Sequence, residues 1–527
     1  MNKKIRTLLS LLLVTFILVS CSSKTKTRDT ARRTERTSRE TTVETYDTEK
    51  PTEPSETTET EITETSRETI RKDIPIEEQL MELDGVVSVE ELEYSSISDT
   101  DARNFMVIFE QPLDWSDPSA GTFEQRVQFV YTGAVTSEFY VGGYLLPNDL
   151  YLKYGDMLGV FASQTGSNFV NAEYRFFGES VPEGLDNSKP DYWNYLTNYN
   201  AACDFHHIFE QFDRILSPNG WVMTGGSKGG MATMLQSMYF PDDAAIYVPF
   251  VAPYSDGPQA EDFFDNIYET IGDEKYGPEK AAEYRDLVLE FQVEAIKHRD
   301  ELQQRYYDYG IESGAVFSDY TTPEILYDMA VLEFATATWQ YYQGFSSISK
   351  VLDMKGSDDC ADRILDLLID ANEPDTWSMN TVYFPYYIQA KMEMGEHEYD
   401  FSFLREALEK DGSGAELVIT EDMEDMLLYK MTMTPEVFDA ITYDSTSRDM
   451  LIKWEKETDC QVIQLFGGAD VWYAMRLPDV PDRDNFITIV VPYAAHSNIY
   501  LEDLSYEEAD EVLDRVISAQ MQAVNNG

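Results

Sequence analysis

An apolar strand enters a glycine-rich turn at Trp221-Val222-Met223-Thr224-Gly225-Gly226-Ser227-Lys228-Gly229-Gly230, and a segment compatible with a helix follows it. The pattern Gly-x-Ser-x-Gly between a strand and a helix is typical of a sharp turn that lifts a serine hydroxyl above a sheet. Gly225 and Gly229 fit because the turn is too tight for side chains on either side of the serine. The stretch predicts Ser227 as a nucleophile and the backbone N–H of Lys228, near a helix N-terminus, as an oxyanion donor.

A serine nucleophile in this setting requires an acid and then a histidine further along the chain. Of the five histidines, His397 and His496 lie far enough downstream to leave room for a strand that carries the acid. His496 follows the apolar run 486–491, and Asp470 follows the apolar run 462–466 and two glycines. The carboxyl ends of neighbouring parallel strands meet at one edge of a sheet. We therefore predict that Asp470 and His496 complete a catalytic triad with the serine.

Other residues remain alternatives for these roles. His397 lies in a polar segment that is typical of a helix end, and it is the second candidate for the histidine of the triad. Asp459 and Asp479 are weaker candidates for the acid because neither follows a strand and precedes glycines. Taken singly, Asp470 is also compatible with a turn residue and His496 with a solvated loop histidine. The order of the three residues along the chain favours the triad.

The distribution of apolar patterns predicts an α/β-hydrolase fold with a large helical lid inserted between sheet strands. Strand-like runs occupy residues 76–253 and return in residues 449–527, so these two parts form the predicted core. Residues 254–448 have helical periodicity and are rich in Met, Tyr and Trp, with one long amphipathic segment over 281–309. In this fold an insertion at that position covers the active site and selects the substrate.

The N-terminus predicts secretion and a lipid anchor. Three basic residues precede an apolar run from Leu8 to Val19, which is too short to span a membrane stably. The run ends in Leu18-Val19-Ser20-Cys21, so residues 1–21 resemble a bacterial lipoprotein signal peptide, with Cys21 as the lipidated residue. An ordinary secretory signal or an uncleaved anchor is the alternative. Residues 22–75 are rich in Thr, Ser and Glu and predict a disordered stalk that holds the protein on the extracytoplasmic face of the cell membrane.

Charge and cysteine content exclude several functions. The 527 residues carry a net charge of −57, while residues 22–73 contain 11 Lys and Arg against 13 Asp and Glu, so the acidity belongs to the folded part. Such a surface disfavours nucleic acid as a partner and favours peptides with a free amino group. The cysteines beyond the stalk, Cys203, Cys360 and Cys460, are odd in number and widely spaced, so we expect neither disulfides nor a metal site. We expect no cofactor.

Four segments resemble the secreted bacterial tripeptidyl aminopeptidase family of serine peptidases and, more distantly, prolyl carboxypeptidase and dipeptidyl peptidase II. They are Phe109-Glu110-Gln111-Pro112-Leu113-Asp114-Trp115, Gly121-Thr122-Phe123-Glu124-Gln125-Arg126, Glu173-Tyr174-Arg175-Phe176-Phe177 and Gly225-Gly226-Ser227-Lys228-Gly229-Gly230-Met231. The resemblance implies a lidded α/β-hydrolase that releases short peptides from the N-terminus of its substrate and often accepts proline. Gly178-Glu179 follows the prolyl carboxypeptidase pattern instead, which leaves the direction of exopeptidase action open.

The remaining site residues are predicted from their position near the elbow. The backbone N–H of Tyr144, after Gly142 and Gly143, is the expected second oxyanion donor. Arg175 and Glu173 are expected to form an ion pair beneath the nucleophile. Glu173 and Glu179 are candidate residues for binding the substrate, and the lid acids Glu324 and Glu333 are further candidates for binding its α-amine. The side chain of Lys228 is expected to point away from the serine.

Three functions are compatible with these residues. The first is a cell-surface serine exopeptidase of the tripeptidyl or prolyl aminopeptidase type, which acts through an acyl-enzyme on peptide substrates. The second is a carboxypeptidase or esterase that uses the same triad. The third is a lipoprotein that binds peptides without catalysis.

Overall fold

A computed structural model of the chain describes residues 74–92, 102–146, 159–216, 220–255, 257, 259–341, 344–478, 480–496, 499, 501 and 504–526. The predicted signal peptide, Cys21 and nearly all of the predicted stalk lie outside these ranges, as does Asp479. Within them, no helix is both long enough and apolar enough to cross a membrane.

The core of the molecule is a nine-stranded sheet. In chain order the strands of the protein are β1 (Val86–Leu92), β2 (Arg103–Pro112), β3 (Thr122–Tyr131), β4 (Thr136–Val141), β5 (Asn168–Ala172), β6 (Gly220–Gly226), β7 (Ile246–Phe250), β8 (Gln259–Ala260), β9 (Glu396–His397), β10 (Val462–Gly467) and β11 (Phe486–Val491). The strand order in the main sheet is β1-β2-β3-β5-β4-β6-β7-β10-β11, and β8 and β9 form a separate parallel pair.

The pairing pattern divides the sheet into two parts. β1, β2, β3 and β5 pair antiparallel, while every pair from β5 through β4, β6, β7 and β10 to β11 is parallel. β6 lies in the middle and leads directly into the helix Lys228–Tyr239. A mostly parallel sheet with a serine turn after a central strand confirms the predicted α/β-hydrolase fold.

Helices cover both faces of the sheet because alternate residues of a strand point to opposite sides. Trp221 and Met223 of β6 belong to the same apolar cluster as the helix Asn198–Leu216, whereas Val222 belongs to a second cluster with the C-terminal helix Tyr506–Asn526. All residues of β10 are buried, which suits a strand covered on both faces. The carboxyl end of β6, where the elbow begins, is thereby held in a rigid core.

Between β7 and β10 the chain is mainly helical. In chain order the helices of eight or more residues in this segment are Pro278–Lys297, Arg299–Ser313, Pro323–Tyr341, Phe345–Leu352, Cys360–Ala371, Ser402–Asp411 and Thr446–Glu457. Shorter α-helices are Phe263–Asp265, Asp273–Tyr276, Phe384–Gln389, Glu421–Glu424, Leu427–Thr432 and Pro435–Ala440. The single amphipathic segment predicted over 281–309 is two helices that break at His298.

The remaining helices belong to the core: Ile76–Met81, Ala162–Thr165 and Pro190–Trp193. The three cysteines of the folded part are free thiols. Among the described residues, one group has donor atoms within 4.8 Å of one another, namely Glu294, His298 and Cys360. The ammonium group of Lys297 already lies 2.8 Å from the carboxylate of Glu294, so a cation is present there without a metal.

Candidate active site

The turn after β6 has the geometry of a nucleophile elbow. Ser227 adopts φ 55° and ψ −124°, a strained conformation for a residue with a side chain, and its N–H donates to the carbonyl of Phe250. A Cβ at Gly229 would lie 2.6 Å from the carbonyl oxygen of Val141, and one at Gly225 would collide with the carbonyl of Gly229. Glycine is therefore required at both positions, for the steric reason that the sequence pattern predicts.

Ser227, His496 and Asp470 meet above the carboxyl edge of the sheet. Nε2 of His496 lies 3.0 Å from Oγ of Ser227, and Nδ1 of the same ring lies 2.7 Å from Oδ2 of Asp470. Asp470 accepts a second hydrogen bond from the N–H of Trp472 at 2.9 Å, and both Asp470 and His496 are buried. These contacts have the order of a serine–histidine–acid relay of hydrogen bonds.

The parallel pairing of β10 with β11 explains why two residues far apart in sequence meet. Gly467 of β10 pairs with Val491 of β11, and the loops that follow carry Asp470 and His496. A Cβ at Gly467 would collide with the carbonyl of Ala494, so the glycines before the acid allow the two loops to approach. Asp459 lies at the opposite end of β10 and is exposed.

The side chain of Tyr144 lies in the wall of the cavity that contains Ser227. Burial raises the pKa of its phenol above the usual range, and the nearby side chain of Ser227 opposes this in part. A Cβ at Gly143 would lie 2.6 Å from the N–H nitrogen of Gly229, which shows how closely this loop packs on the elbow. The backbone N–H of Tyr144 as the second oxyanion donor stays a prediction. Its hydroxyl, in the wall of the same cavity as Ser227, is a second candidate donor.

The side chain of Lys228 is held in an aromatic box. Its Nζ lies 3.0 Å from the ring centroid of Tyr174 and 5.2 Å from that of Phe177. Within the described part of the chain this nitrogen has no hydrogen-bond partner, and burial lowers the pKa of Lys228 well below its ordinary value. The helix Lys228–Tyr239 starts at this residue, so its backbone N–H is at a helix N-terminus as predicted.

Glu173 and Glu179 lie outside the catalytic cavity, which corrects their assignment as substrate-binding residues. The buried carboxylate of Glu173 accepts hydrogen bonds from the N–H of Leu146 at 2.7 Å and the hydroxyl of Ser180 at 2.6 Å. It therefore organises the loops on either side of it. The side chain of Glu179 is 67% exposed and lies 3.9 Å from Arg126.

The ion pair beneath the nucleophile also differs from the expectation. Arg175 pairs with Asp204, not Glu173, through two hydrogen bonds of 2.6 Å and 2.8 Å. The same guanidinium donates to the carbonyls of Pro112, Leu113 and Tyr195, and both charged side chains are fully buried. Asp204 lies inside a helix with no motif around it, so the sequence offered no signal for this partner.

A cavity of about 1160 Å³ opens above Ser227 and His496. Most of its wall comes from the helical segment between β7 and β10. Its aromatic lining residues are Tyr144, Tyr309, Tyr341, Trp377, Tyr383, Tyr386, Tyr387, Tyr399 and Trp472. Its acidic lining residues are Glu333, Asp366, Asp370, Glu373, Asp375 and Glu396, and its basic ones are Lys228, Lys350 and Arg363. The cavity is thus apolar at many positions and has more acidic than basic groups.

His397, the alternative histidine, lines this cavity but does not contact the serine. Its ring lies between Glu396, 2.9 Å from Nδ1, and Glu333, 3.0 Å from Nε2. Glu324, the other lid acid considered, is not in the cavity wall. The sequence identified Glu333 as a candidate for binding an amine but gave no reason to join it to Glu396 and His397.

Comparison with known proteins agrees with this geometry. Residues 69–426 match the family model described as PS-10 peptidase S37, a range that contains Ser227 and ends before Asp470. A prolyl tri/tetrapeptidyl aminopeptidase of Streptomyces mobaraensis is 28% identical over 323 residues, which is 61% of this chain and 61% of that protein. A serine protease vicPb of Bipolaris victoriae (strain FI3) is 28% identical over 180 residues, 31% of this chain and 32% of that protein.

The chain therefore spans about three fifths of the length of the Streptomyces relative and about one third of the Bipolaris relative. Among solved structures, an acetylester hydrolase from Corynebacterium glutamicum has 11% sequence identity and a TM-score of 0.33, covering 78% of this chain and 96% of that chain. The family model covers more than half of the 527 residues. The chain belongs to the PS-10 peptidase S37 family.

Proposed function

We propose that this protein is a serine exopeptidase that releases short peptides from the N-terminus of its substrates. The observation that carries the proposal is the hydrogen-bonded set Ser227–His496–Asp470 at the base of a cavity walled by the helical lid. Family membership supports peptide hydrolysis. The Streptomyces relative supports the direction and length of the released fragment, since it is described as a prolyl tri/tetrapeptidyl aminopeptidase.

The first chemical step forms an acyl-enzyme. Oγ of Ser227 attacks the carbonyl carbon of the scissile peptide bond while Nε2 of His496 takes the hydroxyl proton. Asp470 accepts a hydrogen bond from the other ring nitrogen and stabilises the imidazolium that forms. The C–N bond then breaks, the leaving nitrogen takes the proton from His496, and the N-terminal fragment remains as an ester on the serine.

The second step releases the fragment. A water molecule loses a proton to His496 and attacks the ester carbon, the C–O bond to Ser227 breaks, and the serine oxygen recovers the proton. In both steps the carbonyl oxygen becomes negatively charged. The backbone N–H of Lys228 and the hydroxyl of Tyr144 are the proposed donors to this oxyanion, because one lies at a helix N-terminus and the other is in the wall of the cavity beside Ser227.

The lid favours short, unfolded substrates. Helices between β7 and β10 provide most of the cavity wall, so a folded protein cannot reach the serine without moving them. Aromatic side chains dominate the lining, and flat apolar rings pack well against proline and other apolar residues. Esters are the alternative substrates of the same triad, and the experiments below separate them from peptides.

We also propose that Cys21 carries the lipid that holds the protein on the extracytoplasmic face of the cell membrane. The support is the basic and apolar segment before this cysteine and the polar tract after it. Expression of the full chain and of Cys21→Ser, followed by membrane fractionation, tests this part separately. Equal distribution of the two proteins between membrane and soluble fractions would contradict it.

The catalytic proposal is tested with a fluorophosphonate probe and with chromogenic peptides. The wild-type protein should be labelled covalently and should hydrolyse tripeptide p-nitroanilides, while Ser227→Ala should do neither and keep the same unfolding temperature. Ser163→Ala, which alters an exposed serine, is the matched control and should behave as wild type. Absence of labelling in the folded wild-type protein would contradict the hydrolase proposal. Hydrolysis of esters but not of peptides would show that the protein is an esterase and not a peptidase.

A further inference from the structure

Glu333, His397 and Glu396 form a cluster in the wall of the catalytic cavity. We propose that the carboxylates of Glu333 and Glu396 bind the α-ammonium group of the peptide substrate, and that His397 positions them. The proposal rests on the proposed exopeptidase function and adds the chemical group that is recognised. It also assigns a role to three residues that the triad does not use.

The geometry joins the two carboxylates through one imidazole ring. His397 contacts Oε1 of Glu396 with Nδ1 and Oε1 of Glu333 with Nε2, at 2.9 Å and 3.0 Å. Each glutamate therefore directs one oxygen to the ring and has a second oxygen available for another donor. The backbone N–H of His397 also donates to Oε1 of Glu396 at 3.1 Å, which leaves Glu333 with the less occupied carboxylate.

The charge of the cluster matches a single cation. With both ring nitrogens facing carboxylates, the pKa of His397 is raised to about 9 even though burial opposes this, so the ring is an imidazolium at neutral pH. Two carboxylates and one imidazolium leave a net charge of −1. In the ranges that the structure describes, the only ion pair either carboxylate makes is with His397. A buried unbalanced charge is costly, and a substrate ammonium group would compensate it.

A separate polar group faces the same part of the cavity. Thr336 lies three residues after Glu333 on the helix Pro323–Tyr341, and residues at this spacing share a helix face. Its hydroxyl is buried, lines the cavity and has no hydrogen-bond partner among the described residues. An ammonium group has three N–H donors, so the free carboxylate oxygens and this hydroxyl together provide acceptors for it.

The fold fixes the cluster relative to the catalytic core. Glu396 and His397 form β9, which pairs with β8 shortly after the core strand β7, and the N–H of Glu398 donates to the carbonyl of Ala260 at 2.9 Å. Gly395 has φ +73°, and a Cβ there would collide with the carbonyl of Gly257. The His397 ring also stacks on Phe263 at 4.2 Å. These contacts hold the ring in one orientation.

The separation from the triad suits a fragment of a few residues. Trp472 packs near both histidines, with its ring 5.4 Å from that of His397 and 6.3 Å from that of His496. The two imidazole rings are therefore no more than about 12 Å apart, and an extended chain covers roughly 3.3–3.6 Å per residue. At most about three residues fit between an amine bound at the cluster and a carbonyl attacked at the triad.

The test compares Glu333→Gln and Glu396→Gln with the wild-type full chain on two substrates. One is a tripeptide p-nitroanilide with a free α-amine, and the other is the same compound acetylated at that amine. Glutamine keeps an oxygen that accepts from His397 but removes the negative charge. We expect each variant to lose about 100-fold in kcat/KM on the free amine, mainly through KM, because an ammonium group loses its charged partner. Hydrolysis of the acetylated compound should change less than threefold.

Glu324→Gln is the matched control, since it removes a lid carboxylate outside the cavity and should leave both rates unchanged. His397→Gln tests positioning and should raise KM for the free amine without changing the rate of labelling by a fluorophosphonate. Fluorophosphonate labelling also separates the two proposals, because it reports the triad without an amine. Normal labelling together with an unchanged preference for the free amine in both glutamine variants would overturn the amine site and leave the hydrolase intact. Equal wild-type rates on the free-amine and acetylated substrates would also overturn the amine site.

Discussion

Replacement of Tyr144 by phenylalanine tests whether its hydroxyl, and not its backbone, stabilises the oxyanion. The change removes a single oxygen and leaves the ring, which packs edge-on against Phe177 and Tyr383. The lost group is a hydroxyl in the wall of the cavity that contains Ser227. Since burial raises the pKa of this phenol, it stays protonated and able to donate at every pH at which the triad works.

The expected loss follows from the number of donors. The proposed oxyanion hole has two, the N–H of Lys228 and the hydroxyl of Tyr144, and the variant keeps the first. Removal of one such donor from a preorganised site costs about 100- to 1000-fold in kcat, or about 2.7–4 kcal/mol in the transition state. The proposed hydrogen bond from the Tyr144 hydroxyl to the substrate oxygen strengthens as that oxygen becomes negatively charged. Its loss should therefore lower kcat and change KM little.

Stopped or continuous assays with a free-amine tripeptide p-nitroanilide give kcat and KM for Tyr144→Phe. Tyr140→Phe is the control, because the Tyr140 hydroxyl is also close to the elbow, near Gly226, but is not in the cavity wall. Because Tyr140→Phe removes no proposed oxyanion donor, its kcat should stay within about threefold of wild type. A kcat for Tyr144→Phe equal to that of the control would refute the role of the hydroxyl and return the second donor to a backbone N–H.

Three further predictions concern the triad and the core. Alanine at His496 or at Asp470 should each lower kcat by several orders of magnitude, and the double variant should be little worse, because triad members act as a unit; additive losses in steady-state assays would contradict this. Arg175→Met should lower the free energy of unfolding in denaturant by about 3–5 kcal/mol, because it leaves Asp204 as an unpaired buried charge. Arg103→Met, at a half-buried arginine that pairs with the exposed Glu77 and Glu91, should cost less than about 2 kcal/mol. Burial raises the pKa of Glu138 from 4.5 to about 7, so the folded state binds more protons than the unfolded state between these values, and stability should fall by roughly 3 kcal/mol as the pH rises through that window. Glu138→Gln should flatten this part of the stability profile, and an unchanged slope would show that other groups cause it.

The three residues of the proposed triad are predictable from the sequence because their positions depend on local patterns. The elbow needs glycines next to the serine, and each remaining member follows an apolar strand by a few residues. Parallel pairing of β10 with β11 then brings Asp470 and His496 together, so two local patterns and the pairing rule suffice to predict that they meet. The α/β-hydrolase fold follows from the same signals, since strand-like runs flank a long helical segment.

The corrected assignments depend on contacts that no local pattern carries. Glu173 lies two residues from Arg175, which suggests an ion pair, but its carboxylate instead accepts hydrogen bonds from the N–H of Leu146 and the hydroxyl of Ser180. The guanidinium reaches Asp204, 29 residues away, on a helix that packs against the sheet. Glu333 and His397 are 64 residues apart on a helix and a two-residue strand, so only the tertiary structure joins them.

The two histidines of the cavity differ in what their nitrogens contact, and this difference separates catalysis from positioning. His496 has a carboxylate at Nδ1 and a hydroxyl at Nε2, so one nitrogen is held while the other can take a proton from the serine and return it. His397 has a carboxylate at each nitrogen, which stabilises both N–H bonds and raises its pKa to about 9. A ring that keeps both protons cannot serve as a general base at neutral pH. The same residue type therefore moves a proton at one end of the cavity and fixes a charge at the other, and the partners alone determine which.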